Sequence, residues 1–455
     1  MNRLSGWFAL ATLLGGCAVG PDYLPPQPEL PAGWAGSTLT RAPFEPATWW
    51  RQFNDSRLNG LIQEAIQQNL DLQLAEARLR EARYTRGVIA GGLWPTVNAA
   101  GGVQRSGQGK TGVQNLFQTG LDALWEVDIF GGTRRSVESA EANIVAAEEG
   151  LRDVQVSLTA EVALNYVQLR SFQQQVVIAQ ENLRAQRHTA DITRQRYSAG
   201  FASGLDVANA EAQVASTESV VPTLESAARQ SIYALSVLLA RPPADLLNEL
   251  AESSLLPVTS PEVPVGLPSE LLRRRPDIRQ AEARLHAATA QIGVATADFF
   301  PKFSLTGGLN WRADTLSALD SSAARSWSLG SQVNWPIFQG GSIAANVQVQ
   351  EALRDQAYII YQQTVLAALQ DVENALIAYS KERERYQSLN AAVIANRKAV
   401  RLAMQLYTEG QAEFLNVLQA QRALYVSEAA FVQSDSSLSQ DLIALYKALG
   451  GGWDV

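Results

Sequence analysis

Few residues in this chain of 455 residues have side chains whose position suggests catalysis, metal binding or covalent modification, and those residues are scattered. The two histidines, His188 and His286, lie far apart within long predicted helices, where histidine more often packs or faces solvent than binds a ligand. The sequence has no metalloprotease, serine-hydrolase or P-loop motif, and the arginine triplet at 273–275 is typical of a solvated helix start. We therefore predict that the chain is not an enzyme and has no catalytic, cofactor-binding or metal site.

Cys17 is the residue whose position indicates a covalent modification. It is the only cysteine, so no intrachain disulfide is possible. A positive start at Arg3 precedes the apolar run 4–14, which is too short to span a bilayer, and two glycines directly precede the cysteine. This pattern resembles the bacterial lipobox. It predicts that residues 1–16 are a lipoprotein signal peptide and that Cys17 carries a thioether diacylglycerol and an N-acyl chain.

The predicted lipid also suggests a location. Each buried methylene of an acyl chain contributes about 0.8 kcal/mol, so several chains make a stable anchor. Ala18 rather than an aspartate follows the cysteine, which by resemblance to known lipoproteins favours the outer membrane. The alternative is an ordinary signal peptide with a chance cysteine. No later segment has eighteen consecutive apolar residues, so a membrane-spanning chain would have to use strands closed into a barrel.

The overall composition is that of a folded protein without a nucleic-acid partner. Hydrophobic residues make up 46% of the chain and charged residues 18%, whereas disordered chains combine low hydrophobicity with high charge. The net charge is −8, and no block of lysine and arginine is available to replace the counterions of nucleic acid.

The body of the chain is a tandem duplication with an offset of about 206 to 210 residues. Several blocks recur in the same order. Two of them are Ala-Glu-Ala-Arg-Leu, at 75–79 and 281–285, and the Ile-Phe-Gly-Gly element at 129–132, which returns as Ile-Phe-Gln-Gly-Gly at 337–341. The chain is therefore divided into the signal peptide, the acylated cysteine with a proline-rich strap at 17–54, repeat 1 at 55–250, a linker at 251–268 and repeat 2 at 269–455.

Each repeat contains one very long predicted helix followed by a shorter one. Neither glycine nor proline occurs between Ser342 and Glu409, and the apolar positions there step by four and three residues, as in helices packed side by side. At about 1.5 Å per residue such a helix would be roughly 100 Å long. Repeat 1 has the same pattern, which predicts helices over 133–198 and 204–239.

Before each long helix the hydrophobic period changes to two, which predicts two strands per repeat. One face of these strands is apolar and the other polar. The apolar face includes Leu121, Trp125, Leu305 and Trp335, and the polar face includes Asp122, Glu126, Ser304 and Asn310. Tryptophans near strand ends are typical of a membrane interface. A soluble sheet packed on helices is the alternative interpretation.

Four strands cannot close a membrane barrel, because bacterial examples need eight or more. Open strand edges in lipid would leave amides without partners, at several kcal/mol each. If the strands lie in a membrane, several copies must share one barrel, and two, three or four copies would give about eight, twelve or sixteen strands. The sequence does not choose among these numbers.

Three features together resemble the outer-membrane efflux (TolC-like) family, lipoprotein branch. They are the lipobox, the proline-rich strap, and two repeats of the order helix–strand–strand–long helix–helix. The Tyr-x-x-Gly-x-x-x-x-Leu-Asp/Asn-Val turns at 197–207 and 407–417 are characteristic of it. The resemblance implies a mainly α fold with a membrane β-barrel: as a homotrimer, a twelve-stranded barrel in the outer membrane on an α-helical barrel in the periplasm. It also implies a periplasmic adaptor protein and an inner-membrane transporter as partners, and passive conduction of drugs or other small molecules.

The resemblance also assigns site residues. The family narrows at its periplasmic tip, on the helix after the second-repeat turn, where a Leu, an Asp and an Arg often face the pore. The matching positions are Leu415, Gln419 and Arg422, beyond the predicted periplasmic turns at Gly200 and Gly410. Gln419 departs from the pattern, so Arg422 loses a potential carboxylate partner. The repeat-1 counterparts are Leu205, Asn209 and Ala212.

Two other functions stay open at this point. A coiled-coil lipoprotein without a channel would explain the helices and the lipid, but not the amphipathic strands or the duplication. A protein-secretion conduit would share the architecture and serve a different inner-membrane engine. The lipobox favours small-molecule efflux by resemblance only.

Overall fold

The computed structural model describes residues 18–35, 46–107, 109, 113–254 and 268–453. Cys17 lies outside these residues. In chain order the helices and strands are α1 (Ser56–Gln68), α2 (Leu70–Gly91), β1 (Thr96–Gly107), β2 (Val113–Val127), α3 (Gly132–Ser198), α4 (Gly204–Leu238), α5 (Leu247–Leu250), α6 (Pro268–Arg274), α7 (Pro276–Ala297), β3 (Lys302–Ala313), β4 (Arg325–Asn334), α8 (Ser342–Thr408) and α9 (Phe414–Ala448). Short 3-10 turns cover Pro46–Phe53 and Leu316–Ala318.

The two repeats have the same sequence of elements. The long helices α3 and α8 each contain 67 residues, and the helices after the turns, α4 and α9, each contain 35. Their ends lie within a few residues of the positions that the glycines and the hydrophobic period predict. None of the helices in the described part of the chain is both long and apolar enough to cross a membrane.

The four strands form one antiparallel sheet in the order β1-β2-β3-β4. Its registers place apolar residues opposite one another: Trp125 is opposite Leu305, and four residues earlier on β2 Leu121 is opposite Ala99 and Leu309. On the other face Glu126 is opposite Ser304. Because successive side chains point to opposite faces of a strand, these registers join the apolar positions of the strands into one face.

The base of the sheet shows the duplication at the level of single hydrogen bonds. The indole Nε1 of Trp125 donates to the Leu93 carbonyl oxygen at 3.0 Å, and that of Trp335 donates to the Phe299 carbonyl oxygen at the same distance. Trp335 lies just beyond the end of β4 rather than within it. Each tryptophan thus links the end of a hairpin to the residues that precede the first strand of the same repeat.

The chain divides into two compact units, and both repeats contribute to each. Unit 1 consists of the described parts of Met1–Pro28, Ala77–Gly150 and Asp277–Thr364, and contains the sheet. Unit 2 consists of the described parts of Glu29–Glu76, Leu151–Pro276 and Val365–Val455, and is helical.

An aromatic cluster lies in the core of unit 2. The rings of Trp49 and Tyr446 are both fully buried and stack with centroids 5.2 Å apart, and Phe53 packs edge-on against Trp49. The Tyr166 hydroxyl donates to Asp55 Oδ2 at 2.7 Å. Burial, together with this hydrogen bond, raises the pKa of Tyr166 to about 12, so the hydroxyl stays protonated and keeps donating at physiological pH.

Candidate functional site

The helix turns of unit 2 use glycine where the backbone requires it. Gly200 and Gly410 have φ of +82° and +77°, the left-handed conformation that ends many helices and that other residues rarely adopt. After the first turn, Ser203 and Asp206 form a reciprocal capping box at the start of α4. At the start of α9, Glu413 occupies the same position without a side-chain cap. The repeat-2 turn therefore has the weaker helix start.

Arg196 joins the two turns. Its Nη1 donates to the carbonyl oxygens of Tyr407 at 2.9 Å and Thr408 at 3.3 Å, at the end of α8. The guanidinium also lies 4.8 Å from the centroid of the Tyr407 ring. A cation at a helix C-terminus is stabilised by the free carbonyls and the helix dipole. Sequence reasoning missed this residue, although an arginine in the last turn of α3 was a usable signal.

An apolar cluster fixes the helices behind the turns. Its members come from both repeats, because α3 and α4 pack here against α8 and α9. The buried side chains are Ala190, Ala210, Tyr407, Phe414, Val417 and Leu418. Because the cluster buries one face of α9, the opposite face of this helix remains exposed.

The predicted aperture residues lie together on that exposed face of α9. The spacing of Leu415, Gln419 and Arg422, by four and three residues, keeps them on one side of a helix, and Leu415 is 50% exposed. Arg422 is exposed, yet its Nε donates to Gln213 Oε1 on α4 at 2.6 Å. Its partner is therefore an amide from repeat 1, which sequence reasoning did not identify. Whether these residues form the narrowest point stays a prediction.

The residues that follow Cys17 are held in a groove of unit 1, which we call the strap seat (Phe130, Gly131, Arg135, Glu138, Glu282, His286 and Gly293). The Val19 amide donates to the Phe130 carbonyl at 3.1 Å, and Arg135 Nε donates to the Val19 carbonyl at 3.1 Å. Arg135 also pairs with Asp22 at 2.7 Å. The Arg135 side chain is only 5% exposed.

Close backbone contact completes the groove. Gly20, with φ of +90°, lies directly on Gly293 of α7, and a Cβ on Gly293 would come within 2.8 Å of the Val19 carbonyl oxygen. A Cβ on Gly131 would likewise meet the Cα of Ala18 at 2.7 Å. Only glycine permits this approach, so the path of the chain is fixed up to the residue next to Cys17.

His286 has a structural role in the strap seat. Its ring stacks on Tyr23 with centroids 4.3 Å apart, and its Nε2 lies 3.0 Å from Glu138 Oε1. Burial would raise the pKa of Glu138, but the hydrogen bonds from His286 and Arg135 outweigh it and lower the pKa. Burial and the carboxylate of Glu282, which accepts from the Tyr23 hydroxyl, raise the pKa of Tyr23. The described residues contain no group of His, Cys, Asp and Glu suited to a metal ion.

Comparison with known proteins identifies the family. The sequence matches the profile described as "Outer membrane efflux protein" over residues 61–241 and 267–451. The chain belongs to the outer membrane efflux protein family. This efflux protein is 34% identical to Nodulation protein T of Rhizobium leguminosarum bv. viciae, over 98% of this chain and 92% of the relative. It is 34% identical to the toluene efflux pump outer membrane protein TtgC of Pseudomonas putida, over 97% and 94%.

Solved structures agree with the sequence relatives. The outer-membrane channel OprN superposes with a TM-score of 0.89 and 40% sequence identity, covering 96% of this chain and 100% of OprN. The predicted fold class is confirmed: these neighbours combine a helical barrel with a β-barrel. The efflux protein is an outer-membrane channel of a tripartite efflux system and extends into the periplasm. Its family is one of channels, not of enzymes.

Arg135→Ala should release the strap from its seat. The variant removes the hydrogen bonds from the guanidinium to the carbonyls of residues 19 and 20, and it also removes the ion pair with Asp22, so the strap loses its side-chain partner. Hydrogen exchange followed by mass spectrometry should show faster exchange in the peptide covering residues 18–23. Arg86→Ala, which removes an exposed pair with Glu141 in the same unit, is the control. Equal exchange in both variants would contradict this account of the seat.

Proposed function

We propose that three copies of the efflux protein form one continuous channel, with twelve strands in the outer membrane. The observation that carries the proposal is the open sheet: among the described residues, β1 and β4 each pair on one side only. In lipid, each unpaired amide costs several kcal/mol. Pairing β4 of one copy with β1 of the next satisfies both edges. Three copies give twelve strands, an even number within the range of bacterial barrels.

The channel is passive, and its cargo consists of small molecules. A relative is named as part of a toluene efflux pump, and another as part of an antibiotic efflux pump, which supports organic molecules as the class of cargo. The sequence has no P-loop, so the energy comes from an inner-membrane transporter through a periplasmic adaptor protein. Exposed apolar side chains at the repeat-1 turn, including Phe201 at 75% exposure, support contact with the adaptor.

A ring of Leu415 side chains closes the periplasmic end at rest. Three copies of Arg422 near one axis would repel one another in a partly desolvated pore. The hydrogen bond from Arg422 to Gln213 supports an arrangement in which the guanidinium turns sideways to α4. Leu415 has no such partner and is exposed, which leaves it free to meet its symmetry copies. The adaptor then opens the channel by spreading the helix pairs.

Cys17 anchors each copy through a diacylglycerol and an N-acyl chain. Mass spectrometry of the mature N-terminus should find Cys17 as the first residue with these lipids attached. Cys17→Ser should lose the lipid and still form channels, because the barrel supplies its own membrane affinity. An unmodified Cys17 in the native protein, or cleavage at another residue, would refute the lipid anchor.

Native mass spectrometry of the detergent-extracted protein should give a single assembly of three copies, because closure of the strands requires the edge strands of neighbouring copies. Cross-linking in intact cells should give the same number. A stable monomer inserted in the membrane would contradict the shared barrel.

Leu415→Ser should raise single-channel conductance in planar bilayers and make cells more permeable to large antibiotics, because the shorter side chain no longer fills the axis. Val426→Ser removes an exposed apolar side chain from the same face of α9, about 16 Å further from the turn, and should leave conductance unchanged. If Leu415→Ser assembles normally and conducts like the unsubstituted channel, the narrowest point lies at other residues.

A further inference from the structure

A recess of about 300 Å³ lies where the sheet meets the helices, and we call it the junction recess. Residues of β2, α3 and α7 and of the end of α2 form its walls, and all of them belong to unit 1. The walls include Ile89, Glu126, Val127, Val294, Ala297 and Asp298. Sites for small molecules in proteins begin at about 300 Å³ and combine apolar walls with a few polar groups. The junction recess therefore has the size and the lining of a site for one small ring system.

Glu126 connects the junction recess to the polar face of the sheet. Successive side chains of a strand point to opposite faces, so Glu126, which is exposed, lies on the face opposite to that of Trp125. In the proposed barrel the apolar face meets lipid, and Glu126 faces the water-filled interior. β2 and β3 are the inner strands of the sheet. The contacts between copies, which form at β1 and β4 in the proposed barrel, thus lie away from the recess.

The junction recess carries a negative charge that the chain does not offset. Three carboxylates line it. Asp128 accepts from the Arg134 amide at 2.8 Å and pairs with the Arg134 guanidinium at 3.3 Å. Asp298 pairs with Lys302 at 3.0 Å. Glu126, by contrast, accepts no hydrogen bond and forms no ion pair with the rest of the described chain, so its carboxylate is available to a ligand.

Apolar walls lie next to this free carboxylate. The side chains of Ile89, Val294 and Ala297 are half-buried, so part of each remains open to the recess. An apolar ring that covers them leaves water, which is favourable, and a cationic group on the same molecule offsets the charge of Glu126. A metal ion would gain nothing from apolar walls, and the described residues contain no group of His, Cys, Asp and Glu suited to one.

We propose that the junction recess is a binding site for cargo inside the channel, and that it takes small organic cations with an apolar ring. The ring packs on Ile89, Val294 and Ala297, and the positive charge lies beside Glu126. The proposal rests on the proposed channel and narrows the class of cargo that the wall retains. Conduction requires that a bound molecule can also leave, and a single exposed carboxylate is a weak partner, which is suited to passage.

Ethidium tests this proposal, because it is a planar organic cation whose fluorescence rises when it leaves water. The assembled protein in lipid nanodiscs should bind it saturably, one molecule per chain, after subtraction of the signal from empty nanodiscs. Glu126→Gln should weaken the apparent affinity about fivefold. Asp122→Asn removes the same charge from the same face of β2, about 13 Å away along the strand, and should leave the affinity unchanged. An equal loss in both variants, or no loss in either, would overturn the proposal.

Filling the cavity is a test that leaves the charge of Glu126 in place. A second cavity, of about 290 Å³, shares Ile89 with the junction recess and is also lined by Thr85 on α2. Ile89→Trp occupies the junction recess and should abolish saturable binding of ethidium. Thr85→Trp occupies only the second cavity and should retain it. Saturable binding that survives Ile89→Trp, or that Thr85→Trp abolishes, would show that the dye binds elsewhere and that the proposal is wrong.

Native mass spectrometry and conductance in planar bilayers report assembly and channel formation independently of ethidium. In conducting channels ethidium should cause brief blockades of the current, and Glu126→Gln should shorten them. Channels that conduct normally but do not bind ethidium would overturn the cargo site and leave the proposed channel intact. A trimeric preparation that does not conduct would instead refute the proposed channel, and the cargo site with it.

Discussion

Backbone amides in lipid must form their hydrogen bonds within the protein, because no water is available there as an alternative partner. A four-stranded sheet satisfies its inner amides and leaves two edges open, so one chain of this family is incomplete in the membrane. The proposed assembly of three copies follows from this constraint. Each repeat contributes one hairpin to the sheet, and each hairpin is followed by a 67-residue helix.

The duplicated halves differ at their helix turns. In repeat 1 the helix after the turn, α4, begins with a capping box. In repeat 2 the corresponding helix, α9, begins without a side-chain cap. Arg196 of repeat 1 binds the end of the repeat-2 helix α8, while Arg422 of repeat 2 binds Gln213 of repeat 1. Hydrogen bonds to a charged group contribute about 1.5–3 kcal/mol each, so a few such links hold the two halves together at the turns.

The N-terminal strap shows a second kind of asymmetry, because the arginine that binds it, Arg135, has an alanine at the equivalent position of repeat 2. Glycine at 20, 131 and 293 makes room for backbone contact, and Arg135 supplies the polar partners. His286, which looked like an isolated histidine in the sequence, belongs to this groove through its stack on Tyr23 and its contact with Glu138.

The sequence by itself determined the repeats, the helix and strand order and the family, because hydrophobic period and turn glycines are local properties of the chain. It also indicated Gly200, Gly410 and the face of α9 that carries Leu415. Only the tertiary structure decided the partner of Arg422 and the roles of Arg196, Arg135 and His286. Those contacts join residues more than a hundred positions apart, as in the pairs of Arg135 with Val19 and Arg422 with Gln213. Long side chains reach across helices in directions that no local pattern encodes, so their partners are fixed only when the two repeats pack together.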